Sequence, residues 1–495
     1  VSRTAVVRAL PVALLALYVV LGLVTLTTFP LVWVDEGWYV SSAANFVRDG
    51  SFALPLFGDL DGFDRDNVVY GRIYLLALAA AFTAADVTPE AARLVSFTAG
   101  IAAVVSMFAL GRELWDARVG VVAAILLAVS PVFIDQSHDA RPEIMQLAFT
   151  LAAFASLLAG QRRSSALLLV LAGVLAVLAA DVHLNAVIVP VALAAVLLVR
   201  RASLRTFGLF AAGGFVAGLW FLFVHVVQDP ALFMQQVNAF GGPKSPLSEF
   251  LERPAFTLGM GLARYIRVDA GSLALLVAGL IATYELLRRH NDLALRTVLT
   301  FAGVQLIYTL VLVNHKQPVY AVLLWPVLAL LVARLLTVLP QRLAVLAGGT
   351  IIVISLLSVG HMTLRDRGAD FDSYLAQLDA AIPDDAVVMG QPSTWFGFTE
   401  QPYVASQYFV FRTPFAEEMR NMGVEYVIAD EYLTDLQLYH LEELPADEVE
   451  RFLEDHGEIV AEIEDPHYGR YQTGVGRPIL TRVYRIEGAG PSDQS

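Results

Sequence analysis

The chain is dominated by repeated apolar runs long enough to cross a bilayer. About 20 helical residues, rising about 1.5 Å each, span a hydrocarbon core of about 30 Å. Runs of this kind lie near 6–28, 91–111, 119–135, 143–160, 165–180, 184–199, 206–227, 271–287, 295–313, 319–338 and 342–361. A further apolar segment, 73–88, brings the total to about 11–12 membrane segments. Backbone polar groups in lipid must be satisfied within the segment, so runs of this length fold as helices. Of the 495 residues 57% are hydrophobic and 16% are charged, whereas an ordinary soluble domain carries about 25% charged residues. The sequence therefore predicts a polytopic α-helical membrane protein, with its first apolar run retained as a span.

Basic residues near span ends set the orientation. Arg3 and Arg8 place the N-terminus in the cytoplasm. Arg112 to Arg118, Arg162-Arg163, Arg200 to Arg205, Arg288 to His290 and Arg342 then all fall inside if eleven segments cross and 73–88 does not. A re-entrant or interfacial course for 73–88 satisfies every basic turn; a full crossing requires a miscount elsewhere. The outer side then receives loop 29–72, the turns at 136–142, 181–183 and 314–318, loop 228–270 and the C-terminal part. Both long loops mix aromatic and charged residues, as short helices at headgroup depth do.

Charge divides the chain a second time. Residues 362–495 carry 26 acids against 9 arginines, while the preceding part carries 21 acids and 24 basic residues. An acidic soluble domain, 362–487, thus follows a near-neutral membrane domain, 1–361, with 488–495 as a frayed tail. An acidic surface of this kind excludes nucleic acid as a partner. Periodicity in the tail predicts a small α/β domain: helices at 371–382, 415–422 and 448–456, and strands at 386–389, 424–429, 459–463 and 481–486. Gly423 and Gly457 suit helix ends, and parallel pairing with helix crossovers fits the alternation. The chain has no Cys, so disulfides and thiolate metal sites are excluded. No glycine-rich phosphate loop occurs, so nothing points to a directly bound nucleotide.

Four polar clusters are expected at the outer ends of spans. The first is Asp35-Glu36 in Trp33-Val34-Asp35-Glu36-Gly37-Trp38-Tyr39, with Tyr39 a turn beyond. The second is Ser137-His138-Asp139-Ala140-Arg141-Pro142-Glu143. The third is Asp181-Val182-His183. The fourth is Asn314-His315-Lys316-Gln317-Pro318-Val319-Tyr320, which holds one of only two lysines, Lys244 and Lys316. Tyr70 and Arg72 reach the same level at the end of the first loop. Charges at this depth face water, a counter-charge or a substrate. Plain structural roles also fit: acids in a helix first turn, Pro142 opening a helix, a snorkelling lysine. Together, though, acids and bases at one membrane face suit a lipid-linked sugar phosphate. Arg72, Arg141 or Lys316 would grip the phosphate leaving group. A carboxylate would take the acceptor hydroxyl's proton as it attacks the anomeric carbon, inverting it. Asp35 is the candidate base, with Glu36 or Glu143 orienting the acceptor. The clusters also admit a divalent cation, magnesium, manganese or zinc, with Asp35, Glu36, Asp139 and His138 as candidate ligands.

At these residues the chain resembles the GT-C superfamily of membrane glycosyltransferases. More narrowly it is similar to the group of protein O-mannosyltransferases and lipid A aminoarabinose transferases known as glycosyltransferase family 39. The resemblance runs over most of 6–361. It rests on Asp35-Glu36 after the first span, Gly71-Arg72-Ile73-Tyr74-Leu75 where relatives often carry Lys-Pro-Pro-Leu-Tyr, and Ala92-Arg93-Leu94. It continues through Ser130-Pro131, Ala140-Arg141-Pro142-Glu143, and His315-Lys316 with Tyr320 and Pro326. The resemblance implies that Asp35 is the catalytic base and that the donor is a polyprenyl-phosphate sugar. It also implies acceptors among lipids, cell-surface glycans and protein hydroxyls, a C-terminal extracytoplasmic domain, and a multi-pass location in the cell membrane. The expected substrate-binding set is Tyr39, Tyr70, Arg72, His138, Asp139, Arg141, His183, His315, Lys316 and Tyr320. Two rival functions remain open: a transporter or flippase of lipid-linked glycans, and a non-catalytic membrane assembly protein.

Overall fold

A computed structural model describes residues 15–16, 18–20, 22–241, 246–266, 268–290, 292–313, 318–406, 415–434, 446–469 and 479–487. Six helices among them are long and apolar enough to cross a membrane: Pro89–Leu114, Glu143–Arg163, Leu204–Val227, Ala270–Arg289, Leu293–Val311 and Gln341–Arg365. Four shorter apolar helices, Arg72–Ala84, Ala166–Val182, Leu184–Val199 and Trp325–Val338, accompany them. The predicted polytopic helical class is thereby shown. The run expected as one span at 119–135 is instead a bent pair, Ala117–Ala128 and Pro131–Ser137, turning by 67°. Pro131 lacks the N–H that would continue the first helix, and it opens the second at its first position. Segment 73–88 is realised as Arg72–Ala84, 13 residues long, which at about 1.5 Å per residue falls short of a hydrocarbon core of about 30 Å.

The chain divides into two compact units. The first comprises Val1–Leu26, Val68–Ala77 and Arg93–Arg365. Its core is aliphatic with a few rings, among them Phe97, Phe133, Phe154, Phe301 and Trp325. Glycines set the closest helix approaches. A Cβ on Gly173 would stand 2.0 Å from the Phe210 carbonyl oxygen, and one on Gly213 the same distance from that of Val170. Helices Ala166–Val182 and Leu204–Phe221 therefore pack backbone to backbone, as small residues permit in membranes. Loop 228–270 contains three helices, Pro230–Gly241, Pro246–Glu252 and Pro254–Ile266. Each begins on a proline, whose fixed φ suits a first helical residue. The last exposes Phe256, Met260, Leu262 and Ile266.

The second unit comprises Thr27–Asn67, Leu78–Ala92 and Asp366–Ser495, so the first loop shares a compact unit with the acidic tail. Its five-stranded sheet uses β1 Val388–Gly390, β2 Tyr403–Ala405, β3 Tyr426–Ala429, β4 Gly457–Asp465 and β5 Ile479–Ile486. The order is β2-β1-β3-β5-β4. β1 runs parallel to β2 and β3, while β5 is antiparallel to both β3 and β4. The expected parallel pairing is thus found between β1 and its two neighbours, while β3–β5 and β4–β5 pair antiparallel. Met389, Val404, Phe415, Met419, Val427 and Phe452 form the core beneath it. Helix Val34–Asp49 joins this unit through Gly37, where a Cβ would lie 2.0 Å from the Pro392 carbonyl oxygen. The loop after that helix folds back on it. Ser42 donates to the Phe52 carbonyl at 2.7 Å, and Phe46 stacks on Phe52 at 4.0 Å.

Candidate functional site

In the first unit, the turn between the bent pair and helix Glu143–Arg163 carries the second polar cluster. Arg141 and Glu143 form a two-pronged ion pair, Nη2 to Oε1 at 2.7 Å and Nε to Oε2 at 3.2 Å. Both side chains are almost wholly enclosed, 3% and 0% exposed, and only mutual neutralisation makes that burial tolerable. His183, which follows helix Ala166–Val182, brings Nε2 to 3.9 Å from Glu143 Oε1 and sets its ring edge-on to Tyr320 at 5.7 Å. On the other side the Arg141 backbone is held by Ser96, whose hydroxyl accepts from the Arg141 N–H at 3.2 Å and meets Tyr74 Oη at 3.1 Å. Glu143, Arg141, His183 and Tyr320 are thus brought together.

His138 has partners of its own. Its Nδ1 is 2.6 Å from the Ile134 carbonyl oxygen, its ring packs on Phe97 at 5.3 Å, and it is 1% exposed. Beside it Tyr18 donates to Ser137 at 2.9 Å. These contacts join the first apolar helix to the bent pair, a packing task. Asp139 and Arg72 are both buried, at 6% and 5% exposure, and Tyr70 is half-buried. His315 and Lys316 lie outside the described residues.

Nothing in the sequence singles out His225. It lies in a π-helical turn, Leu222–Val227, ending helix Leu204–Phe221. Its Nε2 meets Asp181 Oδ1 at 2.9 Å and its Nδ1 meets the Val68 carbonyl oxygen at 2.7 Å. A lone histidine in an apolar run carries no spacing signal; only the π turn, which re-aims the side chain, makes it polar-facing.

In the second unit, Asp35, Glu36 and Tyr39 occupy the first turns of helix Val34–Asp49. Glu36 is fully buried and accepts the Trp33 N–H at 2.7 Å, the reach-back of a capping glutamate at the third helical position. Asp35 is half-buried and Tyr39 buried. Several of the tail's buried polar groups satisfy one another. Gln391 bonds Asp430, and Tyr403 donates to the Gln391 carbonyl at 2.8 Å. Burial pushes the Tyr403 phenol well above its ordinary range, so it stays a neutral donor.

Among the described residues no group of three or more His, Asp or Glu side chains is arranged to hold a metal ion. Asp35 and Glu36 fall in one unit and His138 and Asp139 in the other, so the four candidate ligands do not form a set within either.

A model of the dolichyl-phosphate-mannose-protein mannosyltransferase family matches residues 73–226. The structure of ArnT from Cupriavidus metallidurans bound to undecaprenyl phosphate matches with a TM-score of 0.61 at 13% identity, covering 99% of this chain and 100% of that one. ArnT in the apo state gives a TM-score of 0.65 at 14% identity, covering 96% and 98%. The Archaeoglobus fulgidus oligosaccharyltransferase in its apo form gives 0.61 at 14% identity, covering 91% of this chain and 73% of that one. No curated protein matches the chain in sequence. The fold is similar to that of the GT-C membrane glycosyltransferases, with apolar helices followed by a C-terminal sheet domain. Within that superfamily the likeness is to the family 39 group, carried by the family model and by ArnT.

Proposed function

We propose that this protein is an inverting glycosyltransferase that moves a sugar from a polyprenyl-phosphate donor to a hydroxyl acceptor on the extracytoplasmic side of the cell membrane. One observation carries the reading: the fold matches, almost end to end, a protein solved with undecaprenyl phosphate bound. The archaeal relative AglB, solved with an inhibitory peptide and a dolichol-phosphate, supports a lipid-linked donor and a macromolecular acceptor.

Asp35 takes the proton of the acceptor hydroxyl while that oxygen bonds to the anomeric carbon. The bond from that carbon to the phosphate oxygen breaks, and polyprenyl phosphate leaves. Arg72 and Lys316 stabilise the leaving phosphate's charge. Glu36, bonded to the Trp33 N–H, holds the turn that carries Asp35. Arg141 and His183, both close to Glu143, and Tyr320 against His183 serve substrate binding. The acceptor is a lipid, a cell-surface glycan or a protein hydroxyl.

The test is turnover of a panel of polyprenyl-phosphate sugars by the purified full-length protein, with released lipid phosphate and product masses measured. Acceptor-dependent release that Asp35→Asn abolishes is the expected result. Consumption of no donor, or equal turnover by the variant, overturns the reading.

A further inference from the structure

The end of helix Ala166–Val182 carries a buried aspartate that the proposed chemistry leaves unused. Asp181 is 2% exposed. Its Oδ2 accepts the Ile73 N–H at 3.0 Å, and its Oδ1 accepts from Trp220 Nε1 at 3.3 Å and meets His225 Nε2 at 2.9 Å. His225, 1% exposed, stacks on Phe221 at 4.5 Å. Its Nδ1 faces a carbonyl, that of Val68, which can only accept, so Nδ1 carries a proton. Its Nε2 faces a carboxylate, and that contact is attractive only with a second proton between them. Imidazole and carboxylate thus form a buried pair that neutralises itself.

The two residues grip opposite ends of one short segment. His225 holds the carbonyl of Val68 and Asp181 holds the N–H of Ile73. Gln236 adds a third tie, accepting the Val68 N–H at 3.0 Å. Between the ends the backbone lies against the helix terminus so closely that a Cβ on Gly71 would stand 2.0 Å from the Asp181 carbonyl oxygen and 2.3 Å from that of Val182. The gripped segment bears Tyr70 and Arg72. The same helix terminus leads directly into His183, which faces Glu143. A π turn in a span, occupied by a buried histidine, marks a local rearrangement made for this contact.

We propose that Asp181 and His225 are positioning residues for the transfer. They clamp segment 68–73 so that Tyr70 and Arg72 are presented to the donor phosphate in fixed register with His183. This rests on the transferase reading above, in which Arg72 contacts that phosphate. Neither residue touches the reacting atoms; both act through the backbone.

The test uses full-length protein carrying Asp181→Asn or His225→Phe. Hydrogen–deuterium exchange over 68–75 reads the clamp, and binding of undecaprenyl phosphate alone reads the donor site. Loss of a charge-assisted bond should speed exchange at the Ile73 amide about tenfold and weaken lipid-phosphate binding about tenfold. Because Arg72 also stabilises the leaving phosphate, kcat at saturating donor should fall as well, though by far less than with Asp35→Asn. His225→Asn, whose amide nitrogen can stand where Nδ1 stood, should recover most of the affinity. Unchanged exchange in folded variants overturns the clamp. Faster exchange with unchanged lipid-phosphate affinity overturns its role in the site. Faster exchange in a protein whose wild type neither binds polyprenyl phosphate nor consumes a donor overturns the transferase reading instead, and the donor-positioning role with it.

Discussion

Two acid-bearing turns can be compared, one in each compact unit. In helix Val34–Asp49 the buried carboxylate, Glu36, is satisfied locally by the N–H three residues before it. Its neighbour Asp35 stays half-buried. At the start of helix Glu143–Arg163 the buried carboxylate is met by a guanidinium two residues away and approached by a histidine forty residues on. The first turn commits one acid to the backbone, and its half-buried neighbour is the base of the proposed mechanism. The second commits its acid to an ion pair that holds several segments together. A carboxylate near a span end is thus no more a catalyst than a strut until its partners are known.

The largest expected effect separates the two roles. Asp35→Asn should lower turnover about a hundredfold to ten-thousandfold, the range of a lost general base, with the melting temperature unchanged. A folded variant with near wild-type turnover would make Asp35 a second strut. Glu143→Ala should do the reverse and act first on stability. It strands a buried arginine, at a cost of about 3–5 kcal/mol. Thermal unfolding in detergent checks this, and Arg141→Leu combined with Glu143→Leu should regain most of the loss, since no charge is then left alone. If the double variant is as unstable as the single one, the ion pair is not what stabilises the turn.

Much of this was legible in the sequence. Hydropathy marks the spans because lipid admits no other backbone. Gly423 adopts φ 63° just past helix Phe415–Asn421, as a glycine after a helix should. Gly457, expected to end a helix, directly follows helix Ala446–His456 and also opens β4 without an intervening loop. The short strand Tyr403–Ala405 has no signature in the sequence, since three residues carry no period. Asp35-Glu36 and the Arg141–Glu143 pair stand out because charges at span ends are costly. His225 does not, because its partners Asp181 and Val68 are distant in sequence and its side chain turns inward only through a π turn. The sharing of one unit by the first loop and the tail was equally hidden. Its cause is a contact through Gly37, and a glycine does not announce what it lies against.

That contact sets the third prediction. Gly37→Ala places a Cβ against the Pro392 carbonyl oxygen, a backbone atom with no rotamer to yield. Overpacking of this kind costs about 1–3 kcal/mol. The loss should appear as easier proteolysis of the second unit, with Asp35 chemistry falling in proportion to unfolded protein rather than in kcat. A drop in kcat with the unit intact would show instead that Gly37 aligns the catalytic turn.

The smallest effect belongs to the capping acid. Glu36→Gln keeps an oxygen for the Trp33 N–H and keeps the shape, but it removes a negative charge from the positive end of the helix. The expected loss is about 0.5–1 kcal/mol, from the weaker bond and the lost dipole interaction together. Turnover should fall less than tenfold, since Asp35 retains its place. A collapse of turnover to the level of Asp35→Asn, with stability held, would mean that the Glu36 charge itself enters the reaction. The local cap would then be only half of its role, and the two turns would be alike in keeping an acid for more than packing.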